Sequence, residues 1–153
     1  MTLREASIGD IAQMHVVRTS VKENQLSNPD LISSKDYEEY LLNRGKGWVI
    51  EVDNVIIGFA IVDLLENNVW ALFIQPSFER MGIGKMLHDE MINWYFKKTD
   101  KAIWLSTTAN TRAEYFYRIA GWEQIGILPN GELKFEMKAE NWQRLGHFNQ
   151  ANN

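Results

Sequence analysis

The chain contains no cysteine. Disulfides, thiolate metal sites, a CxxC redox pair and a cysteine nucleophile carried covalently through a reaction are therefore excluded from its chemistry. Proline is scarce, at three residues. There is no low-complexity tract and no repeat with a period of about 20–50 residues, which leaves one continuous fold. No apolar run approaches the ~18 residues that a membrane-spanning helix needs, so no membrane partner is expected. Residues 1–10 are polar and include Glu5, which fits neither a signal nor a transit peptide. Charge of one sign is lacking too: sixteen Lys and Arg stand against twenty Asp and Glu, a net −4, with no run of five like charges. That balance argues against a nucleic-acid partner bound by phosphate neutralisation. The three histidines, His15, His88 and His147, lie far apart and form no HExxH-like pair, so no metal site is expected. Together these absences describe a cytoplasmic protein.

What the chain does have is 153 residues, 45% of them apolar. A chain of that size buries about 68–70% of its unfolded surface around a single core. We expect one domain over residues 1–139 and a weakly apolar tail over 140–153, either a short helix or frayed. A strand is expected at residues 2–5. Ser7 follows as a helix N-cap with Asp10 three residues on, a capping box with Asp in place of Glu. Ile8, Ile11, Met14 or His15, and Arg18 then recur at helical spacing. Residues 24–33 are polar and carry Pro29, which reads as a loop. Ser34 is expected to cap a short helix through Tyr37, Tyr40 and Leu41, stopped by Gly45 and Gly47.

The middle of the chain changes period. Trp48 to Val52 and Val55 to Val62 are β-branched and aromatic runs separated by Asp53-Asn54, a hairpin turn. Asn67-Asn68 makes a second turn into 69–74, which gives three antiparallel strands, and Pro76 ends the last. From Gly82 the period is helical, with Ile83, Leu87, Met91 and Trp94 or Tyr95 on one face. Residues 102–107 read as a strand buried on both faces. Residues 110–120 read as a helix halted at Gly121, and the chain closes with a hairpin around Pro129-Asn130-Gly131. The fold class is mixed α/β with a mostly antiparallel sheet, not a doubly wound one.

The most informative stretch is Ile74-Gln75-Pro76-Ser77-Phe78-Glu79-Arg80-Met81-Gly82-Ile83-Gly84-Lys85. A strand ends, a loop with two glycines follows, and an amphipathic helix begins inside it. Such a helix start offers unpaired N–H groups and the positive end of the macrodipole, which favour an anion. Arg80 and Lys85 add positive charge nearby. A dinucleotide fingerprint would need glycine where Leu87 stands, and a Walker sequence would need Ser or Thr where Met86 stands. Both fail.

The segment from Leu72 to Leu87 resembles motif A of the GNAT superfamily of N-acyltransferases, whose pattern is Q/R-x-x-G-x-G/A. The later Asn110-Thr111-Arg112-Ala113-Glu114-Tyr115-Phe116-Tyr117-Arg118-Ile119-Ala120-Gly121-Trp122 resembles the same family's N-x-x-A-x-x-F-Y-x-x-x-G-F segment. The resemblance covers roughly residues 2–138. It implies the acyl-CoA N-acyltransferase fold, a central six- or seven-stranded sheet flanked by about four helices. Three positions depart from the patterns: Glu79 stands where Gln or Arg is usual, Arg80 where glycine is frequent, and Trp122 where the second segment ends in Phe, a tolerable change of apolar volume.

The resemblance further implies acetyl-CoA as donor and a primary amine as acceptor. Backbone amides of Arg80, Met81, Gly82, Ile83, Gly84 and Lys85 would hold the pyrophosphate. The backbone of Leu72, Phe73 and Ile74 would pair with the pantetheine, with Asn110 and Ala113 along the cofactor arm. An N–H at a bulge near Phe73 or Ile74 would serve the oxyanion, and Tyr117 would be the general acid. An amine near pKa about 10.4 is protonated at pH 7, so a base is required. The strands at 69–73 and 103–107 supply no carboxylate. Glu23 is the candidate base, with water-relayed removal as the alternative. Arg18, Glu23, Asn24, Asp30, Asp36, Glu38 and Glu39 form an acid-rich set suited to a cationic acceptor. A different class of function also fits: a non-catalytic acyl-CoA sensor, favoured by Glu79 and the missing strand carboxylate. Either a monomer or a homodimer is compatible with the sequence.

Overall fold

The strand and helix patterns are realised as two compact units that meet in the chain at Ile92 and Asn93. The computed structural model describes residues 1–21 and 31–146. The expected loop at 24–33 falls mostly outside them.

The first unit holds β1 (Thr2–Glu5), a 3-10 turn (Ile8–Asp10), α1 (Ile11–Ser20), α2 (Ser34–Glu39) and a π-helical turn (Tyr40–Arg44). It continues with β2 (Gly45–Val52), β3 (Val55–Asp63), β4 (Asn68–Ile74), a 3-10 turn (Pro76–Phe78) and the start of α3 (Ile83–Lys98). Its strands are paired β1-β2-β3-β4, each antiparallel to the next. The β2–β3 turn has Asp53 and Asn54 both at positive φ, 51° and 65°. That is the twist a two-residue hairpin loop requires, and short polar side chains tolerate it best.

The capping box at Ser7 is present in substance: the Ser7 N–H donates to Asp10 Oδ2 at 2.8 Å. Asp10 also takes both arms of the Arg4 guanidinium, at 2.8 and 2.9 Å, which ties β1 to the entry of α1. The Arg4 hydrogen bonds, more than any other influence, hold the Asp10 carboxyl below the usual carboxylate range. Along α1 the buried residues are Ile11, Met14 and Val17, whereas Ile8 is 48% exposed and lies in the preceding turn. They join Tyr37, Val49, Ile56, Phe59, Ile61 and Ala71 in one core cluster.

One expectation about helix α2 is corrected. Its N-cap is Ser33, not Ser34: the Asp36 N–H donates to Ser33 Oγ, and Asp36 Oδ2 accepts from the Ser33 N–H at 2.7 Å. The helical stretch ends where expected: Gly45 is the C-cap of the π-helical turn, its N–H bonded to Tyr40 O, and with Gly47 it opens β2. A Cβ on Gly45 would stand 1.8 Å from the Val62 carbonyl oxygen, and one on Gly47 would meet Leu41 at 2.5 Å. These glycines answer to close approach across a sheet. The same junction is held by Arg44, which grips Asp63 at 2.6 Å, and Asp63 is only 1% exposed.

The second unit contains the end of α3, β5 (Ile103–Thr107), α4 (Arg112–Ile119), β6 (Glu123–Ile127), β7 (Leu133–Met137) and α5 (Ala139–Arg144). Its strands run in the order β5-β7-β6, antiparallel throughout. β5 alternates buried and half-buried residues, so it is not buried on both faces as its composition suggested. On α3 it is Tyr95 that is fully buried, Trp94 only in part. α5 docks through Trp142, fully buried, whose indole N–H donates to Asn93 Oδ1 at 2.9 Å. Among the described residues no helix is long and apolar enough to cross a membrane.

Because the Val62 carbonyl is backbone and cannot move aside, Gly45→Ala is expected to destabilise the fold by at least about 1–3 kcal/mol, the usual range for overpacking. Urea unfolding followed by tryptophan fluorescence measures it; an unchanged midpoint would contradict this packing.

Candidate functional site

The candidate anion-binding loop is built by backbone first. After β4, the Phe78 N–H closes the 3-10 turn onto Gln75 O at 2.8 Å. Arg80 and Gly82 then take positive φ, 65° and 80°, and α3 begins at Ile83. Gly82 has nothing within 4 Å of a built Cβ, so glycine is required there for its backbone angle, not for room. Arg80 adopts the same left-handed region without that freedom, a local strain of the sort that gathers at ligand sites. Arg80, Met81 and Gly82 are exposed, and the Gly82 carbonyl accepts the first helical bond, from Met86 N–H at 3.1 Å. The amides of the turn that follows have no carbonyl one turn earlier to reach. They are available to a phosphate.

Lys85 lies beside this turn, but its ammonium is paired with Asp89, one helical turn on. The positive charge assigned to it from the sequence is therefore largely answered within the helix. Asp89 also meets the Nδ1 of His88, at 2.9 Å. His88 is buried, and burial lowers its pKa, so the imidazole is held neutral. Glu79, the unusual acid of the loop, is half-buried.

β4 carries Leu72, Phe73 and Ile74, paired with Ala60, Phe59 and Gly58 of β3 in regular register. The bulge expected near Phe73 or Ile74 lies instead at Trp70, the unpaired residue between Val69 and Ala71. An inserted residue re-aims its side chain. Here it brings Trp70 against the same cluster as Ala71 and Phe73. Tyr40 stacks on Trp70 at 4.1 Å between centroids, and Tyr37 meets it edge-on at 5.3 Å. The Tyr37 hydroxyl is 2.9 Å from His15 Nδ1, and burial pushes the phenol's pKa up to about 12. The Arg18 guanidinium lies over Phe73 at 4.5 Å and near Trp70 at 5.5 Å. Sequence reasoning missed this aromatic site. The available signal was Arg18 itself, a cation at helical spacing with Ile11 on the apolar face of α1. Glu23 lies outside the described residues. Of the acid-rich set, Asp36 serves the α2 cap and Glu39 accepts from Asn43.

In the second unit, Asn110 precedes α4 at positive φ, 63°. Its N–H donates to Glu114 Oε1 at 2.8 Å, and Thr111 caps the helix by accepting from the Glu114 N–H at 3.2 Å. The Asn110 N–H and then the Arg118 guanidinium hold the Glu114 carboxyl below its ordinary range. This anchored first turn fixes the face on which Ala113 and Tyr117 follow one turn apart. Tyr117 is buried, its ring edge-on to Phe116 at 5.3 Å and to Trp122 at 5.7 Å. Burial raises its phenol well above the ordinary range, so it carries its proton at neutral pH. The structure thus puts 72–74 and 80–85 in one unit and Asn110, Ala113 and Tyr117 in the other.

A model of the Acetyltransferase (GNAT) family matches residues 13–122, and the chain belongs to that family. A curated relative, the [ribosomal protein bS18]-alanine N-acetyltransferase of Haemophilus influenzae, is 29% identical over 80 residues, 51% of this chain and 55% of that protein. The chain thus spans about half the length of the curated relative it matches. Among solved structures, the PaiA N-acetyltransferase of Thermoplasma acidophilum, in complex with coenzyme A, shares the fold with a TM-score of 0.75 at 17% identity, over 90% of this chain and 98% of that one. The ribosomal-protein-S18-alanine N-acetyltransferase of Escherichia coli does so with a TM-score of 0.70 at 18% identity, over 89% and 90%. The mixed α/β fold read from the sequence, with seven strands among the described residues, is the fold of these proteins.

Since α4 is positioned through its cap, Thr111→Ala is expected to lower stability by about 1 kcal/mol, and Thr111→Ser by much less. Chemical denaturation of the two variants checks this; equal losses would show that the cap hydroxyl does not hold the helix.

Proposed function

We propose that the chain is an acetyl-CoA-dependent N-acetyltransferase that moves an acetyl group to a primary amine by direct attack. The observation that carries this reading is the start of α3, where Arg80 and Gly82 at positive φ open onto unpaired helical amides. That donor set fits a diphosphate. Family membership supplies the reaction class. Acetyl-CoA, when bound, supplies an acetyl thioester activated toward amines.

The chain's own residues then have separate tasks. Amides of Arg80, Met81, Gly82, Ile83, Gly84 and Lys85 bind the diphosphate. The main chain of Leu72, Phe73 and Ile74 lines the pantetheine, and Asn110 and Ala113 flank the cofactor arm. Tyr117 donates to the departing sulfur. A phenol near about 10, raised further here, is a weaker acid than a thiol near about 8.5, so complete transfer ahead of bond breaking is uphill. Tyr117 therefore acts as a hydrogen-bond donor whose proton moves as charge builds on sulfur. Glu23, or a water chain in its place, takes the proton from the amine. The reading includes a cytoplasmic location, a monomer or homodimer, and an amine whose identity lies in the groups around Arg18.

A second reading, an acyl-CoA sensor without turnover, is favoured by one observation: β4 and β5 carry no carboxylate. Thiol release from acetyl-CoA across a panel of primary amines separates the two. The enzyme reading predicts amine-dependent release, and the sensor predicts coenzyme binding with none. Tyr117→Phe is expected to lower kcat about 10²-fold or more with coenzyme affinity retained. Unchanged kcat would remove Tyr117 from the mechanism. Gly82→Ala is expected to weaken coenzyme A binding by about tenfold, because alanine resists the left-handed angle by ~1–2 kcal/mol. Equal affinity in calorimetry would contradict the role given to the loop.

A further inference from the structure

The charged group the proposed reaction leaves unused is Arg18. Its guanidinium lies against the faces of Phe73 and Trp70, within the first unit, beside the strand assigned to the reacting end of the donor. Two of its nitrogens, Nε and Nη1, are sealed from solvent and have no hydrogen-bond partner among the described residues. Among the described residues no carboxylate pairs with it; the neighbour that acts on it electrostatically is the phenol of Tyr37, neutral at pH 7.

An unanswered buried cation is a costly arrangement. Desolvation of such a group amounts to several kcal/mol and is repaid only by an anion placed against it. Stacking on aromatic faces offsets part of this, about 0.5–2 kcal/mol per contact, and fixes where the guanidinium sits. Burial lowers the guanidinium pKa, though an arginine remains protonated. The result is a fixed, weakly screened positive charge on an aromatic wall built by the Trp70 bulge. Such a wall recognises a planar anion, and the charge-assisted hydrogen bond it offers is stronger than a neutral one.

We infer that Arg18 is the acceptor-recognition residue, and that the amine acetylated by this protein also bears a carboxylate, which Arg18 binds over Phe73 and Trp70. This rests on the N-acetyltransferase reading and narrows it. The acceptor is a small amino acid or a related amino carboxylate, not the polycation that the acid-rich composition of residues 18–40 suggested. Two acids of that stretch are engaged within their own helical turns, Asp36 with Ser33 and Glu39 with Asn43.

Two measurements test it independently. First, thiol release from acetyl-CoA is compared between α- and ω-amino acids and their carboxamides. The acids are expected to show KM values lower by about tenfold or more, one charge-assisted hydrogen bond's worth. In Arg18→Met the acid-to-amide ratio should fall to about one, and Arg18→Lys should keep part of it. Second, tryptophan fluorescence is titrated with N-acetylglycine and with N-acetylglycinamide, probes that need no turnover. The wild type should respond to the acid alone, and Arg18→Met to neither. Thermal unfolding of Arg18→Met should show no loss of stability, since an unpaired buried charge has been replaced by an apolar chain of similar length. A merely structural arginine would instead lower the midpoint and leave acid and amide indistinguishable, which overturns the proposal. Silence with every amine, together with a selective response to N-acetylglycine, would overturn the enzyme reading and uphold the carboxylate site.

Discussion

The first turn of α3 presents N–H groups that no carbonyl of the helix itself can reach, and an anion is the partner that such a helix end accepts best. Everything else in the account depends on how the chain delivers that turn to the surface. β4 must end at Ile74, the 3-10 turn at Pro76–Phe78 must redirect the chain, and Arg80 and Gly82 must both enter the left-handed region. A glycine at 82 accommodates this freely, whereas Arg80 does so under strain. Strain of that kind persists only where surrounding structure imposes it. Lys85 contributes less than its position suggests, because Asp89 already holds it. The affinity of the loop is therefore argued from backbone dipoles and not from side-chain charge, which also explains how Glu79 is tolerated in the same loop.

A second constraint acts on the opposite end of β4. One inserted residue, Trp70, shifts the register against β3 and gathers Trp70, Ala71 and Phe73 on one side. Tyr37 and Tyr40, delivered by α2 and the π-helical turn, pack on the indole. Arg18 completes the group from α1. The bulge thus converts an ordinary strand surface into an aromatic wall carrying one guanidinium that no carboxylate among the described residues answers. In the other unit, a cap at Thr111 and the Asn110–Glu114 bond fix the helix that bears Tyr117. Loop, wall and phenol are three separate devices, each set by local backbone geometry.

Much of the fold was legible because its signals are local. The Asp53-Asn54 hairpin, the Ser7–Asp10 box, the start of α3 at Gly82 and the stop of α4 before Gly121 each depend on residues within a turn of one another. What could not be read depends on partners distant in sequence. Gly45 and Gly47 read in sequence only as the end of a helix; the close approach of Val62 and Leu41 that also demands glycine there comes from the fold. The β5 strand reads as buried on both faces because Trp104 and Ile103 are equally apolar, yet the chain covers only one side fully. Of the site, the loop and the Asn110-to-Tyr117 helix were visible as motifs. The Trp70 bulge and the isolation of Arg18 were not, since both arise from register and packing. Arg18 did stand on the apolar stripe of α1, and a cation there was a signal that composition alone disguised as part of an acidic surface.

The central claim is that main-chain amides at the start of α3 hold the diphosphate of the acyl carrier. Amide hydrogen exchange of the intact protein, resolved to residues 80–85 and compared with and without coenzyme A, tests it most directly. The account predicts marked slowing at Gly82, Ile83, Gly84 and Lys85 when coenzyme is present at saturating concentration. Unchanged exchange at those four amides, with bound coenzyme demonstrated in the same sample, would contradict it.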